Sequence, residues 1–259
     1  MHLARVFVIA RNVFLEVIRD RILYLIALFS GLMVLAVVLL PEVAAGTEDK
    51  IILDVGLAAI NLLALVVAVF VGTGLINKEI EKKTVLVLIA KPISRFEFIF
   101  GKHLGLCAVM AVLIAALSAV FLGIISFKGI PFPLDSLLIA IGFMFLEMTL
   151  LIAVSILFGV FTSSLLATLL TFAVYLVGHL SQDIVKLGQL AESERFQQIA
   201  NSLYLVLPDL ERLNFKNEAI YGITLLPGPG ELLLNVLYAV VYTLLLLIIS
   251  VSIFARRQF

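Results

Sequence analysis

The sequence predicts an all-α integral membrane protein with six transmembrane helices, an N-terminal amphipathic interfacial helix and a short cytoplasmic helix between spans two and three. Three observations predict this fold class. Of the 259 residues, 63% are hydrophobic and only 14% are charged, whereas soluble domains carry about a quarter charged residues. Six stretches approach or exceed the roughly 20 apolar residues that a helix needs to cross the hydrocarbon core. Lysine and arginine are unevenly distributed between the connecting segments, which indicates an orientation.

The six apolar stretches define the spans in chain order. They are residues 22–40, 51–76, 104–126, 136–161, 164–180 and 231–254. Only Thr162, Ser163 and Ser164 separate the fourth stretch from the fifth, which predicts a tight helical hairpin. No Gly/Ser linker, low-complexity tract or convincing internal repeat divides the chain. We therefore expect one transmembrane domain over residues 1–259.

The positive-inside rule predicts the orientation. If the N-terminus is cytoplasmic, the inner segments hold twelve basic residues: Arg5, Arg11, Arg19, Arg21, Lys78, Lys82, Lys83, Lys91, Arg95, Lys102, Arg256 and Arg257. The outer segments hold six: Lys50, Lys128, Lys186, Arg195, Arg212 and Lys216. Most acids also fall outside. The rule therefore assigns both termini and residues 77–103 to the cytoplasm.

Residues 2–20 have the pattern of an amphipathic helix. The apolar side chains at helical spacing are Leu3, Val6, Phe7, Ala10, Val13, Phe14 and Val17. The polar side chains of the other face are Arg5, Asn12, Glu16 and Arg19. This pattern predicts a helix that lies in the cytoplasmic interface, with its arginines near anionic lipid headgroups.

The segment 181–230 is longer than a simple connector between spans five and six. Its charges alternate with Leu, Tyr and Phe, and the pattern stops at Pro208 and again at Pro227-Gly228-Pro229-Gly230. About 50 structureless residues are unusual within a compact domain. We expect short helices that cap the outer mouth, some of which dip back where protein shields the backbone from lipid. The alternative is a mobile loop.

Polar and small residues within the spans form stripes. Span five has Ser164, Thr168, Thr171, Tyr175 and Gly178; span two has Asp54, Ala58, Asn61, Ala68 and Gly72; span three has Ala111, Ala115, Ala119 and Gly123. Such stripes favour close helix packing, and a substrate path is the alternative. Glu147 is the one charge deep in a span, where a carboxylate costs about 2.5–3.5 kcal/mol on insertion scales. It is either a coupling or substrate-path acid or a protonated or hydrogen-bonded packing residue at a helix interface.

The sequence lacks the motifs that several kinds of chemistry require. Gly101-Lys102 is followed by His103, and Phe96 stands where a phosphate-binding loop needs its first glycine. The histidines are scattered, without metal-ligand spacing among His, Cys and Asp. The net charge is zero, so no global field favours nucleic acid. We expect a chain that is not an enzyme, with no cofactor or metal of its own and no nucleic acid as partner.

The coupling segment 77–100 places charged residues around a short apolar run. Thr84 can cap a helix over residues 85–90, which Lys91-Pro92 ends because proline disfavours helical geometry in the residue before it. Ser94 and Glu97 form a capping-box pattern that starts a second helix, which runs into span three. An exposed apolar helix between basic turns typically contacts a partner protein.

These residues carry a resemblance to a known family. The stretch EIEKKTVLVLIAKPISRFEFIFGK, residues 79–102, resembles the segment after span two in type-two ABC transporter permeases. The six-span layout, the amphipathic N-terminal helix and the long outer segment are also similar, and YLVLPDLERLNFKNEAIYG is similar to that segment in a bacterial subgroup. Two features depart from the family pattern: Lys83 replaces a common glycine, and the usual acid within the Leu-rich helix is missing.

The resemblance implies a permease subunit of an ATP-binding cassette exporter. Such a permease sits in the bacterial cytoplasmic (inner) membrane, forms a homodimer or pairs with a second permease, and binds separate ATPase subunits that hold the ATP. The coupling helix would insert Leu86, Leu88 and Ile89 into the ATPase. Its first residue would be Thr84, and its basic rim would be Lys82, Lys83, Lys91 and Arg95.

Two other classes compete with this interpretation. An ATP-independent channel or secondary transporter is expected to show inverted repeats, broken helices and several mid-membrane charges. Glu147 alone and the lack of a clear repeat argue against that class. A non-transporting membrane assembly subunit would also suit the packing stripes. Co-purification of an ATPase would separate these possibilities.

Overall fold

The computed structural model describes residues 3–43, 48–81, 94–190 and 194–256. Its α-helices in these ranges are α1 Leu3–Val43, α2 Glu48–Glu81, α3 Arg95–Lys128, α4 Leu134–Phe161, α5 Ser164–Leu190, α6 Glu194–Val206, α7 Lys216–Ala219 and α8 Pro229–Arg256. Six of them (α1–α5 and α8) contain stretches long and apolar enough to cross a membrane. The described residues contain no β-strand. The predicted all-α class with six membrane-spanning helices is confirmed.

Helix α4 is the central element of the bundle. It contacts α2, α3, α5 and α8, and every residue from Leu150 to Ile156 is buried. A helix that is surrounded by other helices has no polar face, which explains why this span reads as continuously apolar. Any charged group on α4 at this depth is therefore enclosed by protein.

The N-terminal segment differs from the separate interfacial helix predicted at residues 2–20. Residues from Leu3 to Val43 form one helix, because the stretch between Phe14 and Tyr24 contains no Gly or Pro to interrupt it. The first half of α1 packs along the start of α3. At Gly105, an added Cβ would lie 2.7 Å from the carbonyl oxygen of Ala10, so only glycine permits this approach without displacement. The helical conformation is confirmed, and the structure adds that the helix continues into span one.

The start of α3 has the predicted capping box. The Ser94 Oγ accepts a hydrogen bond from the backbone N–H of Glu97 at 3.1 Å, and Glu97 Oε2 accepts one from the backbone N–H of Ser94 at 3.0 Å. The helix then continues without a break to Lys128, where Gly129 at φ 71° ends it. A single rigid element thus joins the end of the coupling segment to the third span.

The α5 stripe and the second half of the α2 stripe pack within the bundle, whereas Asp54 and Ala58 of the α2 stripe are exposed. On the α2 and α5 stripes, Asn61 donates to the hydroxyl of Tyr175 at 3.0 Å, and the Thr168 hydroxyl lies 2.9 Å from that of Thr73, one residue beyond Gly72. The ridge on α3 behaves differently. Its members Ala111, Ala115, Ala119 and Gly123 are exposed on the surface of the chain. No element in the described part of the chain packs on this ridge, so its packing role stays a prediction; against α1, α3 uses Gly101 and Gly105.

The predicted outer segment is mostly helical, as expected. It comprises the end of α5, then α6, α7 and two single turns of 3-10 helix at Glu211–Leu213 and Ile223–Leu225. Leu210 and Ala219 are fully buried, and Ser136 on α4 donates to the Ala219 carbonyl at 2.7 Å. This segment therefore folds back onto the helix bundle.

Most of the predicted ATPase contacts lie outside the described residues. These are Lys82, Lys83, Thr84, Leu86, Leu88, Ile89 and Lys91. The coupling helix stays a prediction. Arg95 is the one member of the set that the structure places.

Candidate functional site

Glu147 lies on the central helix α4, with only 1% of its side chain exposed. The nearest basic group that the structure records is His179 on α5, whose Nε2 lies 3.3 Å from Glu147 Oε1. The two residues face each other because α4 and α5 form the antiparallel hairpin around Thr162. Each lies about four helical turns from that turn. The fold therefore pairs the one mid-span carboxylate with an imidazole.

The pair continues into a polar network between three helices. His179 Nδ1 lies 3.0 Å from the Tyr175 carbonyl oxygen, and the two rings are 4.4 Å apart. The Tyr175 hydroxyl accepts the hydrogen bond from Asn61 on α2. Asn61, Tyr175, His179 and Glu147 thus form a continuous chain of polar side chains from α2 through α5 to α4.

Several atoms of this network lack hydrogen bonds. Within the described residues, neither carboxylate oxygen of Glu147, nor His179 Nε2, nor Asn61 Oδ1 has a partner with hydrogen-bond geometry. The 3.3 Å approach of His179 Nε2 to Glu147 Oε1 is therefore a close contact rather than a formed hydrogen bond. Buried polar groups are normally satisfied, so unsatisfied ones point to a ligand, a water molecule or a second conformation.

The chemistry of the pair follows from its depth. A carboxylate and an imidazole in contact can hold one proton between them, either as an ion pair or as a neutral acid and base. Both forms are far less costly inside the membrane than an isolated carboxylate. The network can therefore bind a cation or a proton, or present a polar surface to a substrate. Within the described residues, no group of three His, Cys, Asp or Glu side chains could hold a metal ion.

A second buried acid, Asp209, anchors the outer segment. Asp209 is 3% exposed, and its carboxylate accepts hydrogen bonds from Ser181 at 3.1 Å and Gln182 at 3.2 Å, both on α5, and from Arg212 Nε at 3.0 Å. Its backbone N–H donates to the Tyr238 hydroxyl at 2.8 Å. The pKa of Arg212 is raised, first by its hydrogen bond with Tyr204 and also by Asp209, so the ion pair keeps its charge.

The chain around Asp209 approaches α5 closely. The Leu210 N–H donates to the carbonyl of Gly178 at 3.1 Å. A Cβ added to Gly178 would lie 2.8 Å from both the Pro208 carbonyl oxygen and Leu210 Cγ. The last member of the α5 stripe therefore packs against the chain around Asp209. Irregular backbone at this level is compatible with a membrane because protein covers it.

Arg95 binds the far end of the chain. Its Nη1 donates to the carbonyls of Phe254, at 2.6 Å, and Ala255, the last residues of α8 before Arg256. The rings of Phe98 and Phe254 stack at 5.6 Å. A guanidinium at a helix C-terminus interacts favourably with the carbonyl ends and the helix dipole. The predicted rim residue is thus also a link between α3 and α8.

Sequence reasoning missed His179 and Asp209 as site residues. His179 lies four residues after Tyr175 and could have been found by extending the polar stripe of span five by one turn. Asp209 is preceded by Pro208 and followed three residues later by Arg212, a spacing that allows a local ion pair. Neither spacing indicates burial, which depends on contacts distant in sequence.

A family model described as ABC-2 family transporter protein matches residues 7–259. The match covers all six helices that are long and apolar enough to span a membrane, the Glu147 network and the segment around Asp209. No curated protein matches the chain. The six apolar helices agree with a multi-pass membrane protein. The chain therefore belongs to the ABC-2 family of transporter proteins, as a membrane-embedded permease subunit.

Proposed function

We propose that this chain forms the translocation pathway of an ABC exporter as a dimer, powered by ATP hydrolysis in separate ATPase subunits. The membership of residues 7–259 in the ABC-2 family carries this proposal. The substrate leaves from the cytoplasm or the inner leaflet of a bacterial cytoplasmic membrane, with both termini of the permease in the cytoplasm. The twelve-to-six distribution of basic residues supports this orientation.

In this proposal residues 84–91 dock on the ATPase. Closure of the ATPase can move the permease only through contacts that differ between its two states. The capped start of α3 supports a role in transmission, because one uninterrupted helix of 34 residues begins at Arg95, after only three intervening residues. A displacement at Arg95 would shift the whole third span as a rigid body.

Arg95 would transmit that displacement to α8 as well as to α3. Its hydrogen bonds to Phe254 and Ala255 connect the start of α3 to the end of α8. On α8, Tyr238 binds the backbone of Asp209 and Tyr242 donates to the carbonyl of Val206 at 2.7 Å. A movement of α8 would therefore reach the outer segment at the opposite end of the bundle.

A proton-coupled transporter without ATPase is the second candidate. The observation in its favour is the Glu147–His179 pair, since buried acids and histidines serve as proton relays in such proteins. The two candidates differ in one requirement. Transport by the ABC exporter needs a hydrolysis-competent ATPase subunit, whereas transport by the alternative needs a proton gradient.

The docking test changes buried anchors of the coupling helix. Anchors at an interface centre commonly contribute more than about 1–2 kcal/mol each, so Leu86→Asp or Leu88→Asp should release the ATPase or uncouple hydrolysis from transport. Pull-down of the co-expressed ATPase and transport in proteoliposomes measure the two effects. Leu205→Asp is the matched control, since Leu205 is 80% exposed on the predicted outer segment and should retain binding.

One outcome would contradict docking of residues 84–91 on the ATPase. Leu86→Asp and Leu88→Asp variants that insert normally, bind the ATPase fully and transport fully would leave residues 85–90 as an interfacial anchor only. Loss of single rim charges at Lys82 or Lys91 should weaken binding modestly and in a salt-dependent manner.

A further inference from the structure

A cleft of about 600 Å³ opens between the outer segment and the start of α8. Three carboxylates line it: Glu211 in the 3-10 turn, Glu218 on α7 and Glu231 in the first turn of α8. These residues come from three separate elements, so the fold brings the acids together. The cleft is distinct from the Glu147 network, which lies deeper in the bundle.

The charges of the cleft are not balanced locally. Arg212 also lines it, but its guanidinium is bound to Asp209 and to the Tyr204 hydroxyl at 3.0 Å. In the part of the chain that the structure describes, no basic side chain pairs with Glu218 or Glu231. Glu211 accepts one hydrogen bond from Asn214 at 3.2 Å, which leaves its negative charge in place. Lys216, two residues before Glu218 on α7, does not line the cleft. The lining therefore holds three acids and one base, and it attracts positive charge.

Asn235 is an independent sign of a ligand. It lines the cleft from α8 and is only 8% exposed. Within the described residues no hydrogen bond joins its side-chain amide to another group, and the amide is open to the cleft. An amide that faces a cavity without a protein partner can donate to, and accept from, a molecule that occupies the cavity.

The remaining walls select for an organic ligand rather than a bare ion. Phe215, Leu225, Pro227 and Leu234 give the cleft apolar surface. Its volume falls within the range of about 300–1,000 Å³ typical of sites for small organic molecules. Apolar walls with carboxylates and one amide fit a molecule with an apolar body, a positive charge and a hydrogen-bonding group.

The cleft also lies next to the intramembrane site. Gln182, one turn beyond His179 on α5, lines the cleft. Phe215 also lines the cleft and packs edge-on against Phe143, with ring centroids 4.8 Å apart. Phe143 lies one helical turn before Glu147 on α4. The Phe143–Phe215 pair thus separates the Glu147 network from the acids of the cleft.

We propose that the cleft binds amphiphilic organic cations and that these cations are the substrate class of this permease. This assignment of substrate rests on the proposed export function, in which the cleft lies on the release side. Binding itself depends only on the permease chain.

The test measures binding of tetraphenylphosphonium to the full chain in lipid nanodiscs without ATPase, with empty nanodiscs as the background. We expect saturable binding that falls at least about tenfold in the Glu218→Gln/Glu231→Gln double variant, because Coulomb attraction is lost. Asn235→Leu and single Glu→Gln variants report on the site if the double variant does not fold. Asp183→Asn is the control, since Asp183 is exposed and paired with Lys186 outside the cleft.

Three results would overturn the proposal: equal affinity in the wild-type chain and the folded cleft variants, equal binding of the neutral triphenylphosphine oxide, or displacement of the probe by low Mg²⁺ at constant ionic strength. The last would assign the acids to a metal ion. Loss of ATPase binding in the docking test would leave this measurement unchanged, so failure of the export function and failure of the site are distinguishable.

Discussion

Glu147 and His179 define the chemistry at the centre of the bundle. Removing two charges from water is costly, and their attraction compensates only where further hydrogen bonds complete the site. Within the described residues those further bonds are missing for both Glu147 oxygens. A pair in that state is suited to exchange a proton or to accept a cation, because neither protonation state is held strongly by its surroundings. This distinguishes it from the fully bonded Asp209.

We predict that Glu147→Gln reduces transport by about tenfold or more without affecting insertion or ATPase binding. Glutamine keeps the size of the side chain, but it can neither take up a proton nor carry the negative charge that attracts a cation. Transport in proteoliposomes, normalised to the amount of reconstituted complex, measures the effect. Glu16→Gln on the exposed face of α1 is the control. Normal transport by Glu147→Gln would leave only a packing role.

A comparison of Asp209 with Asp183 measures how much the burial of an acid contributes to the free energy of unfolding. Both have a basic partner three residues later, but the side chain of Asp209 is 4% exposed and that of Asp183 is 65% exposed. Asp209→Ala should lower the free energy of unfolding by about 1–3 kcal/mol, since Ser181 and Gln182 lose a buried acceptor. Asp183→Ala should change it by less than about 1 kcal/mol, as for exposed ion pairs.

Thermal unfolding in detergent compares the two variants directly. Equal effects of Asp209→Ala and Asp183→Ala would show that the Asp209 network does not hold the outer segment on the bundle. An intact fold with a released segment would instead expose the 207–228 region to protease.

At the scale of the elements, the close approach of α1 and α3 depends on glycine. A Cβ at Gly105 would meet the Ala10 carbonyl oxygen at 2.7 Å, whereas at Gly123 on the same helix nothing lies within 4 Å. Backbone cannot yield as a flexible side chain can, so this contact sets the distance between the two helices. The first half of α1 is held beside α3 by this contact.

Gly105→Ala is therefore expected to destabilise the chain by about 1–3 kcal/mol through overpacking. Gly123→Ala should be neutral or stabilising by about 0.5–1 kcal/mol, since alanine is the better helix former. The melting temperatures of the two purified variants test this difference. If both variants melt alike, α1 does not pack against α3 at Gly105.

The whole molecule has an orientation that the basic residues predict and that labelling can test. After Cys107→Ser, a cysteine at position 49 or 195 should react only with reagent added outside, and one at position 11 only with reagent that reaches the cytoplasm. All three positions are partly or fully exposed. Labelling of position 49 or 195 from the cytoplasm alone would reverse the topology and move the acidic cleft to the cytoplasmic side.

The local features of this chain are readable from its sequence. The six spans follow from runs of apolar residues, because hydrophobic length is a property of contiguous residues. The Ser94–Glu97 capping box and the Thr162 hairpin follow from neighbours three or fewer residues apart, and the family resemblance agrees with the ABC-2 match. For the same reason, the continuity of α1 agrees with the absence of Gly and Pro between Phe14 and Tyr24.

Only the tertiary structure decided which polar groups meet. His179 faces Glu147, Arg95 binds carbonyls 159 and 160 residues away, and Asp209 is enclosed by α5 and α8. In a soluble protein an apolar stripe indicates the buried face of a helix. In a membrane protein the lipid-facing and protein-facing sides are both apolar, so the sequence does not distinguish them. This is why the spacing of the α3 ridge does not show which surface it faces, and why the acids of the cleft, from three elements, become neighbours only in the fold.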